Sequence, residues 1–286
     1  MYVGDSTTNA ATQWIYTFAA TANGATAPSS TLFGTSTSLF GTGFIFFDSL
    51  NNRLWSSQTL STNVTAYSTS SLNGNNTPTF NLTGFGTPGG VYVDGSGKIY
   101  VVDTANSRLE IFPAGSNNNA SPTSVITSGL AVPQGVWLDS SGRIYVANEN
   151  TSTISIYAAN AASGASPVAT ISGSGLSGPL GITLDSANDV WVTNEFSGTV
   201  SEFAPIAAGA SGTLSPGPMA TISYSGFGGP WDIVVDPAGY VYVGNNSSGQ
   251  VDVFAPGLTG TVIVATQVLT TSANGGFACP MGIAVH

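Results

Sequence analysis

The heptapeptide PGGVYVD at residues 88–94 decides the fold, because close copies of it recur along the chain. The copies are PQGVWLD at 133–139, PLGITLD at 179–185, PWDIVVD at 230–236 and PMGIAVH at 280–286, with a weaker copy, TGFIFFD, at 42–48. Successive copies start 45 to 51 residues apart. A period of this length is typical of proteins built from stacked supersecondary units.

Each repeat divides into four short strands. The heptapeptide is the first strand, and the turn DGSG at 94–97 leads into a second strand, IYVV at 99–102. Aspartate and glycine in that order favour a tight hairpin. The third strand, LEIF at 109–112, alternates polar and apolar residues, and a fourth strand follows Pro122. No segment shows helical periodicity together with helix caps.

Four antiparallel strands in about 45 residues correspond to one blade of a β-propeller. A single sheet of this size cannot bury both of its faces, so the blades must stack around an axis. Six copies of the second strand predict six blades. No linker interrupts the repeats, and we therefore expect one all-β domain spanning residues 1–286.

The repeat resembles the NHL repeat. The resemblance rests on the patterns P-x-G-[IV]-x-[VL]-D and G-x-[IV]-Y-V-x-[DN], and it is strongest from Pro88 to Asn246. It implies that the first strand of each blade is innermost. Relatives of this fold include lyases and calcium-dependent lactonases, whose sites lie at the mouth of the central channel.

The two ends of the chain are predicted to close the ring. The chain opens with a second strand at residues 1–4 and ends with a first strand at 281–286. We expect the C-terminal strand to become the innermost strand of the N-terminal blade, which leaves no open sheet edge there. The alternative is that this strand docks into a neighbouring molecule, which would give a filament.

Composition excludes several classes of function. Among 286 residues there are 4 Lys+Arg and 14 Asp+Glu, for a net charge of -10. Such a chain lacks a surface that neutralises phosphates, so nucleic acid is not an expected partner. No apolar run approaches the roughly 18 residues needed to span a bilayer. One cysteine and one histidine exclude an internal disulfide and a histidine-rich zinc site.

A surface solubilised by hydroxyl and amide groups is typical of secreted bacterial proteins. We therefore expect an extracellular or cell-surface location and a protein or glycan partner, which includes the chain itself as an oligomer or filament. Seven glycosylation sequons occur, most of them expected by chance in this composition. They start at Asn63, Asn75, Asn81, Asn119, Asn150, Asn245 and Asn246.

Residues that recur in every blade are interpreted as structural. The repeated aspartates that end the heptapeptide are expected to cap their own hairpins as Asx turns. The residues that end the second strand alternate between Asp and Asn, as hydrogen-bonding turn residues do. The aromatic residue of the second strand is interpreted as a packing device. These three series are Asp48, Asp94, Asp139, Asp185 and Asp236; Asp5, Asp103, Asn148, Asn194 and Asn245; and Tyr2, Trp55, Tyr100, Tyr145, Trp191 and Tyr242.

Positions that depart from the repeat are better candidates for function. Antiparallel order places the start of the first strand and the end of the second strand on one face of the disk. Trp231 and Asp232 are the sharpest departures, since Asp232 replaces a glycine found in four other blades. The predicted ligand-binding residues on this face are Gln134, Glu149, Glu195, Trp231, Asp232 and Met281. The opposite face is expected to hold Lys98, Arg143, Asp189 and His286.

Two classes of function remain open. The first is a non-enzymatic binding, adhesive or structural module with no catalytic residues, resident metal or cofactor. General acid-base chemistry favours groups with a pKa near 7, and the only histidine is the last residue. The second class is a channel-mouth lyase or a calcium-dependent lactonase-like enzyme. Its hard-cation site would be built from Asp103, Asn148, Glu149, Asn194, Glu195 and Asp232.

Overall fold

Short strands form almost all of the regular structure. The computed structural model describes residues 1–6, 13–271, 273 and 276–285. The strands up to residue 126 are Tyr2–Asp5 (β1), Trp14–Thr17 (β2), Gly24–Thr26 (β3), Ser30–Phe33 (β4), Thr42–Asp48 (β5), Arg53–Gln58 (β6), Asn63–Ser68 (β7), Phe80–Thr83 (β8), Pro88–Val93 (β9), Ile99–Asp103 (β10), Arg108–Phe112 (β11) and Ser124–Ile126 (β12).

The remaining strands continue the pattern to the C-terminus. They are Pro133–Leu138 (β13), Ile144–Asn148 (β14), Thr153–Tyr157 (β15), Ala169–Ile171 (β16), Pro179–Leu184 (β17), Val190–Asn194 (β18), Thr199–Phe203 (β19), Gly212–Leu214 (β20), Ala220–Ile222 (β21), Pro230–Val235 (β22), Val241–Asn245 (β23), Gln250–Phe254 (β24), Gly260–Val262 (β25), Gln267–Thr271 (β26) and Pro280–Ala284 (β27). Two single 3-10 turns, Thr35–Thr37 and Thr69–Ser71, are the helical elements of the described residues.

The strands form six sheets, which confirms the six-bladed, all-β prediction. Numbered from the N-terminus, the antiparallel cores of the blades are β27-β1-β2-β4, β5-β6-β7-β8, β9-β10-β11-β12, β13-β14-β15-β16, β17-β18-β19-β21 and β22-β23-β24-β26. The first strand of each core is innermost. Around the axis, it contacts the first strands of the two adjacent blades. We call the face where these innermost strands begin the front face, and the face of the hairpins that follow them the back face.

The core of the molecule lies between blades rather than within them. Six apolar clusters are present, and each joins two neighbouring blades around the ring. Both faces of a blade are therefore buried, which explains why the strands read as nearly continuous apolar runs. The close approach of innermost strands also explains the repeated glycine. A Cβ on Gly135 would lie 2.5 Å from the carbonyl oxygen of Leu180 in the next blade.

Blade 1 combines strands from both ends of the chain. The pairing of β27 with β1 is antiparallel, with Tyr2 opposite Ala284 and Val3 opposite Ile283. Blade 3 has the same register, with Tyr100 opposite Tyr92. The C-terminal strand thus takes the innermost position of blade 1, as the strands β9 and β13 do in their own blades. His286, the last residue of the sixth heptapeptide, lies outside the described residues.

Three blades contain a fifth strand that the repeat did not predict. The loop between the third and fourth strands of one blade reaches back to the outermost strand of the preceding blade. There it adds a parallel strand, as β20 does on β16, β25 on β21 and β3 on β26. Blades 1 and 2 carry single parallel bridges at the same place, Leu32 to Gly74 and Leu82 to Asn118. Covering outer edges in this way disfavours edge-to-edge aggregation.

The repeated aspartates cap their hairpins as predicted. In Asp94 one carboxylate oxygen, Oδ1, accepts the backbone N–H of Ser96 at 2.8 Å and that of Lys98 at 3.0 Å. Asp139, Asp185 and Asp236 bond the same two positions of their own turns. The second oxygen accepts the polar atom of the strand-two aromatic, such as the Tyr100 hydroxyl at 2.9 Å. The aromatic series therefore packs between blades, and in blades 3 to 6 it also anchors the hairpin.

The residues that end the second strand bind the chain that enters the same blade. Asp103 accepts the N–H groups of Gly86 and Thr87, and Asn148 accepts that of Ala131. Asn194, Asn245 and Asp5 make the equivalent bonds in their blades. These side chains are fully buried. Their alternation between Asp and Asn follows from a shared need for one oxygen acceptor.

Candidate functional site

A β-bulge at the start of each innermost strand builds the front face around the axis. In blade 4 the ladder skips from Pro133 to Val136, and in blade 6 it skips from Pro230 to Ile233. The residues inside the bulge are free of the ladder and are turned toward the axis or the front face. The bulge therefore explains why Gln134, Trp231 and Met281 are only half-buried although each lies within a central strand.

Three of the predicted site residues form one polar group on the front face. Gln134 donates a hydrogen bond from Nε2 to Oε2 of Glu149 at 2.5 Å. The negative charge of Glu149 also repels the carboxylate of Glu195 in the next blade. Burial, and then the negative charge of Glu149, raise the pKa of Glu195 above its usual value. The structure thus brings Gln134, Glu149 and Glu195 together on the front face across blades 4 and 5, and their role in ligand binding stays a prediction.

Trp231 occupies the same face on blade 6. Its ring lies 6.4 Å from that of Phe44 in blade 2, centroid to centroid, and the hydroxyl of Thr193 donates to its carbonyl oxygen at 2.7 Å. The indole Nε1 is buried and has no hydrogen-bond acceptor among the described residues. A buried unpaired donor costs about 1–3 kcal/mol. The stability of the fold alone therefore does not explain a tryptophan at position 231.

Asp232 lies apart from Trp231, inside the channel. Its carboxylate accepts the backbone N–H of Ile283 at 3.0 Å and that of Ile233 at 2.9 Å, and it also accepts the N–H of Ile45. These donors belong to three innermost strands. Burial raises the pKa of Asp232 to about 7, although the three N–H groups lower it. Asp232 thus ties blades 1, 2 and 6 together where other blades have glycine.

Side chains of the innermost strands line a small cavity on the axis. Its water-accessible volume is about 60 Å³, which is room for roughly four water molecules. Apolar side chains of the innermost strands dominate its lining, among them Phe46, Trp137 and Ile182. Phe46 and Trp137 are in edge-to-face contact with ring centroids 5.8 Å apart. A sugar-sized substrate does not fit along this axis.

The six residues considered for a hard-cation site do not converge. Oxygens of Asp103, Asn148 and Asn194 are held by backbone N–H groups, each within a different blade. Asp232 is held by N–H groups in the channel. Glu149 and Glu195 remain on the front face with Gln134.

The sequence argument missed two features. Phe196 follows Glu195 in the turn after β18 and is 64% exposed on the front face. On the back face, ligand atoms of Asp185, Asp189 and Glu202 lie within 4.8 Å of one another. A signal for the second feature was present in the repeat. Glu202 occupies a strand-three position that is Ile111 in blade 3 and Ile156 in blade 4.

Comparison with known proteins agrees with this architecture. The family model of the NHL repeat matches residues 85–112, which span β9, β10 and β11. No curated protein matches the chain. The chain is an NHL-repeat-like, six-bladed β-propeller, and no helix in its described part is long and apolar enough to cross a membrane.

Solved structures with a similar fold include other propellers. A protein from Lactobacillus plantarum superimposes with a TM-score of 0.64 at 15% identity, over 94% of this chain and 81% of that one. The WD40 β-propeller domain of Doa1 gives 0.62 at 15% identity, over 89% and 74%. A proposed 6-phosphogluconolactonase from Bacteroides fragilis gives 0.60 at 17% identity, over 89% and 76%. Likeness at these identities extends to the fold alone.

Proposed function

We propose that this propeller is a non-enzymatic, extracellular binding module that holds a protein or glycan partner on its front face. The small size of the cavity on the axis is the observation that carries this proposal. With about 60 Å³ along the axis, a partner of useful size has to bind on a face of the disk. The front face offers both apolar and hydrogen-bonding groups for that purpose.

The contact surface combines an aromatic anchor with paired polar groups. Trp231 is half-exposed beside Phe44, and tryptophan is among the residues that contribute most to binding energy at interfaces. Gln134, Glu149 and Glu195 supply acceptors for a sugar hydroxyl, a peptide N–H or a basic side chain. The exposed ring of Phe196 extends the apolar part of the surface.

Composition supports an extracellular location, because a surface solubilised by hydroxyl and amide groups is typical of secreted bacterial proteins. Composition and charge also favour certain partners. Only 6% of the residues are charged, and the net charge is -10. A surface of hydroxyls and amides has few ions to desolvate when a partner binds. The acidic balance favours a neutral or basic partner over an anionic one.

The architecture limits how copies of the chain could assemble. In five blades a loop of the next blade covers the outermost strand, either as a parallel strand or as a single bridge. In blade 3 the loop of blade 4 bonds to Val125 of β12 through Gly164 and Ser163. Lateral assembly by strand addition is therefore disfavoured. Assembly, where it occurs, would use whole faces of the disk or exchange of β27.

The test compares Trp231→Ala with a matched change on the other face. Leu50 is 68% exposed in the back-face hairpin of blade 2, so Leu50→Ala removes similar apolar area away from the front face. Both variants and the wild type are applied to a glycan array and a peptide library. We expect binding that Trp231→Ala abolishes and Leu50→Ala preserves. Binding that survives Trp231→Ala, or is lost in Leu50→Ala alone, contradicts the front-face proposal.

Asp232 supports a second candidate function, a channel-mouth enzyme. A carboxyl with a pKa of about 7 suits general acid-base catalysis, and a proposed 6-phosphogluconolactonase shares the fold. Against this function, three N–H groups already occupy the Asp232 oxygens. Lactone hydrolysis and lyase assays on wild type and Asp232→Asn decide between the two functions. Turnover that Asp232→Asn abolishes would replace the binding proposal with the enzymatic one.

A further inference from the structure

Blade 5 departs from the repeat at two positions that meet on the back face. Asp189 stands where blades 3, 4 and 6 have Lys98, Arg143 and Tyr240. Glu202 stands where the same blades have Ile111, Ile156 and Val253. Both departures introduce a carboxylate next to the hairpin aspartate that every blade from 2 to 6 retains. Two independent departures with the same charge at one place point to a common purpose.

The three carboxylates are held by well-defined elements. Asp185 directly follows β17, and its Oδ1 accepts the N–H groups of Ala187 and Asp189 at 2.8 and 3.0 Å. Its Oδ2 accepts Nε1 of Trp191 at 3.2 Å. Glu202 lies directly opposite Trp191 in the β18–β19 pairing. One oxygen from each of Asp185, Asp189 and Glu202 lies within 4.8 Å of the other two.

Glu202 has no partner that would compensate its charge. It is 8% exposed, and its carboxylate accepts no hydrogen bond among the described residues. The charged groups that act on it are Asp189 and Asp185, both negative. The nearby cation of the preceding blade, Arg143, is engaged by Asp139 at 2.7 Å and by carbonyl oxygens of Ile206 and Ala207. Burial and then the charges of Asp189 and Asp185 raise the pKa of Glu202 to about 7, so near neutral pH either a proton or a bound cation compensates its charge.

We propose that Asp185, Asp189 and Glu202 form a calcium-binding site on the back face of blade 5. Carboxylate-only donors select hard cations over zinc, copper or iron. Calcium accepts irregular geometry and completes its shell with water and carbonyl oxygens, whereas magnesium demands near-octahedral geometry at 2.0–2.1 Å. Asp185 and Asp189 are half-exposed, which leaves an entry path from solvent.

The site would fasten a hairpin to a strand of the same blade. Asp185 and Asp189 belong to the turn between β17 and β18, while Glu202 lies on β19. An ion shared by these elements stabilises the folded blade without touching the front face. Three protein carboxylates with solvent access correspond to a dissociation constant of about 0.1–1 mM, the range of extracellular calcium modules.

The first experiment uses Trp191 as a built-in reporter. Because its indole nitrogen bonds to Asp185, an ion at the site lies close enough for the excited indole to sensitise Tb³⁺ luminescence. We expect Tb³⁺ emission on excitation of tryptophan in the EDTA-treated wild type, with competition by Ca²⁺. In Glu202→Ile, which carries the residue of blades 3 and 4, the emission should be lost. Equal emission from wild type and Glu202→Ile would overturn the assignment.

The second experiment measures thermal stability of the full chain in EDTA and in 10 mM CaCl₂, with NaCl of equal ionic strength as reference. At 10 to 100 times the dissociation constant, we expect the wild-type Tm to rise by about 2–5 °C. Glu202→Ile and Asp189→Arg should show no rise. Glu110→Gln is the matched control, because Glu110 lies on the third strand of blade 3 and is already paired with Arg108 at 2.8 Å. This control should keep the full rise.

The wild-type measurement decides by itself, so a variant that folds poorly does not prevent a result. A wild-type Tm that does not change between EDTA and calcium refutes the site, whatever the variants do. An equal rise in Glu202→Ile and in wild type would assign the ion to another place, and it also refutes the site. The binding function of the front face is independent of both results.

Discussion

Blades 4 and 5 are neighbours with the same backbone, yet their back-face hairpins handle charge in opposite ways. In blade 4 the hairpin carboxylate Asp139 is paired with Arg143 at 2.7 Å, and the third strand carries the buried apolar residue Ile156. In blade 5 the corresponding positions are Asp189 and Glu202, which place two further carboxyl groups beside the hairpin carboxylate of Asp185.

This difference shows which positions the fold requires. The hairpin aspartate and the glycine of the innermost strand are retained in both blades, because a tight turn and a close strand approach depend on them. The positions of Asp189 and Glu202 are not fixed by the fold, since blade 4 has a stabilising ion pair and an apolar residue there and blade 5 has a cluster of carboxylates. Unfavourable choices that persist are expected where function requires them.

The largest expected effect concerns blade 1, which is built from two ends of the chain, whereas blades 4 and 5 come from continuous segments. Deleting residues 280–286 removes the innermost strand with its ladder to β1 and the buried Ile283 and Ala284. We expect a loss of at least about 5 kcal/mol in the free energy of unfolding, from urea denaturation.

A circular permutant provides the control for this deletion. Joining the two ends through the turn sequence of residues 95–98, which the register of blade 3 places between them, and opening the chain in the loop after β12 should restore a stable monomer. An unchanged denaturation curve after the deletion would refute closure of either kind. A folded monomer that no longer assembles, seen by light scattering, would favour exchange of β27 between molecules.

The next effect is a dependence of stability on pH. It comes from two buried carboxyl groups at positions where most other blades have a neutral residue. Burial raises the pKa of Asp5 to about 6 and that of Asp232 to about 7. In each case the folded protein binds the proton more tightly than the unfolded chain does. The stability contributed is complete below about pH 4, and it is lost as the pH rises to about 6 or 7.

Asp5→Asn and Asp232→Asn should remove this dependence. Asn already occupies the position of Asp5 in blades 4 to 6. Relative to wild type, the unfolding free energy of Asp5→Asn should gain about 3 kcal/mol between pH 4 and 7, and that of Asp232→Asn about 4 kcal/mol. The control is Asp94→Asn, since hydrogen bonds from Ser96 and Tyr100 lower the pKa of Asp94 despite partial burial. Its difference from wild type should stay constant over this range. Parallel pH profiles for all four proteins would contradict the assignment.

A smaller effect should reverse its sign between the two hairpins. Arg143→Met in blade 4 leaves Asp139 without its cation and should cost about 1–2 kcal/mol. Asp189→Met at the same position of blade 5 removes a repulsive charge and should raise stability in EDTA by up to about 1 kcal/mol. Urea denaturation of both variants is the measurement. Two changes of the same sign would mean that the hairpins are electrostatically equivalent.

Much of the fold was predictable because the repeat states it six times. The strand order, the Asx turns and the packing role of Tyr100 and its counterparts follow from local chemistry that each blade repeats. The parallel strand β20 was not predictable, since Gly212–Leu214 has no counterpart motif in the repeat. It forms because the neighbouring blade presents an open edge, which is a tertiary cause.

The candidate site was predictable only in part. The front-face position of Gln134, Glu149 and Glu195 followed from antiparallel order. The separation of Asp232 from Trp231 did not, because antiparallel order places the start of a strand on a face but does not say which of two adjacent side chains turns into the channel. Glu202 was not predicted because the candidate residues were taken from the first and second strands at the front face, whereas Glu202 lies on the third strand, where other blades have a buried apolar residue.

The central claim is that departures from the repeat serve binding rather than folding. One variant tests it: Trp231→Ala, Asp189→Arg and Glu202→Ile combined, which replaces the departures on both faces and leaves the hydrogen-bonded Asp232 in place. The measurement is its free energy of unfolding in EDTA at pH 7.5. We predict a value equal to or above that of the wild type. A loss of more than about 2 kcal/mol would show that these residues are part of the fold, and it would contradict the claim.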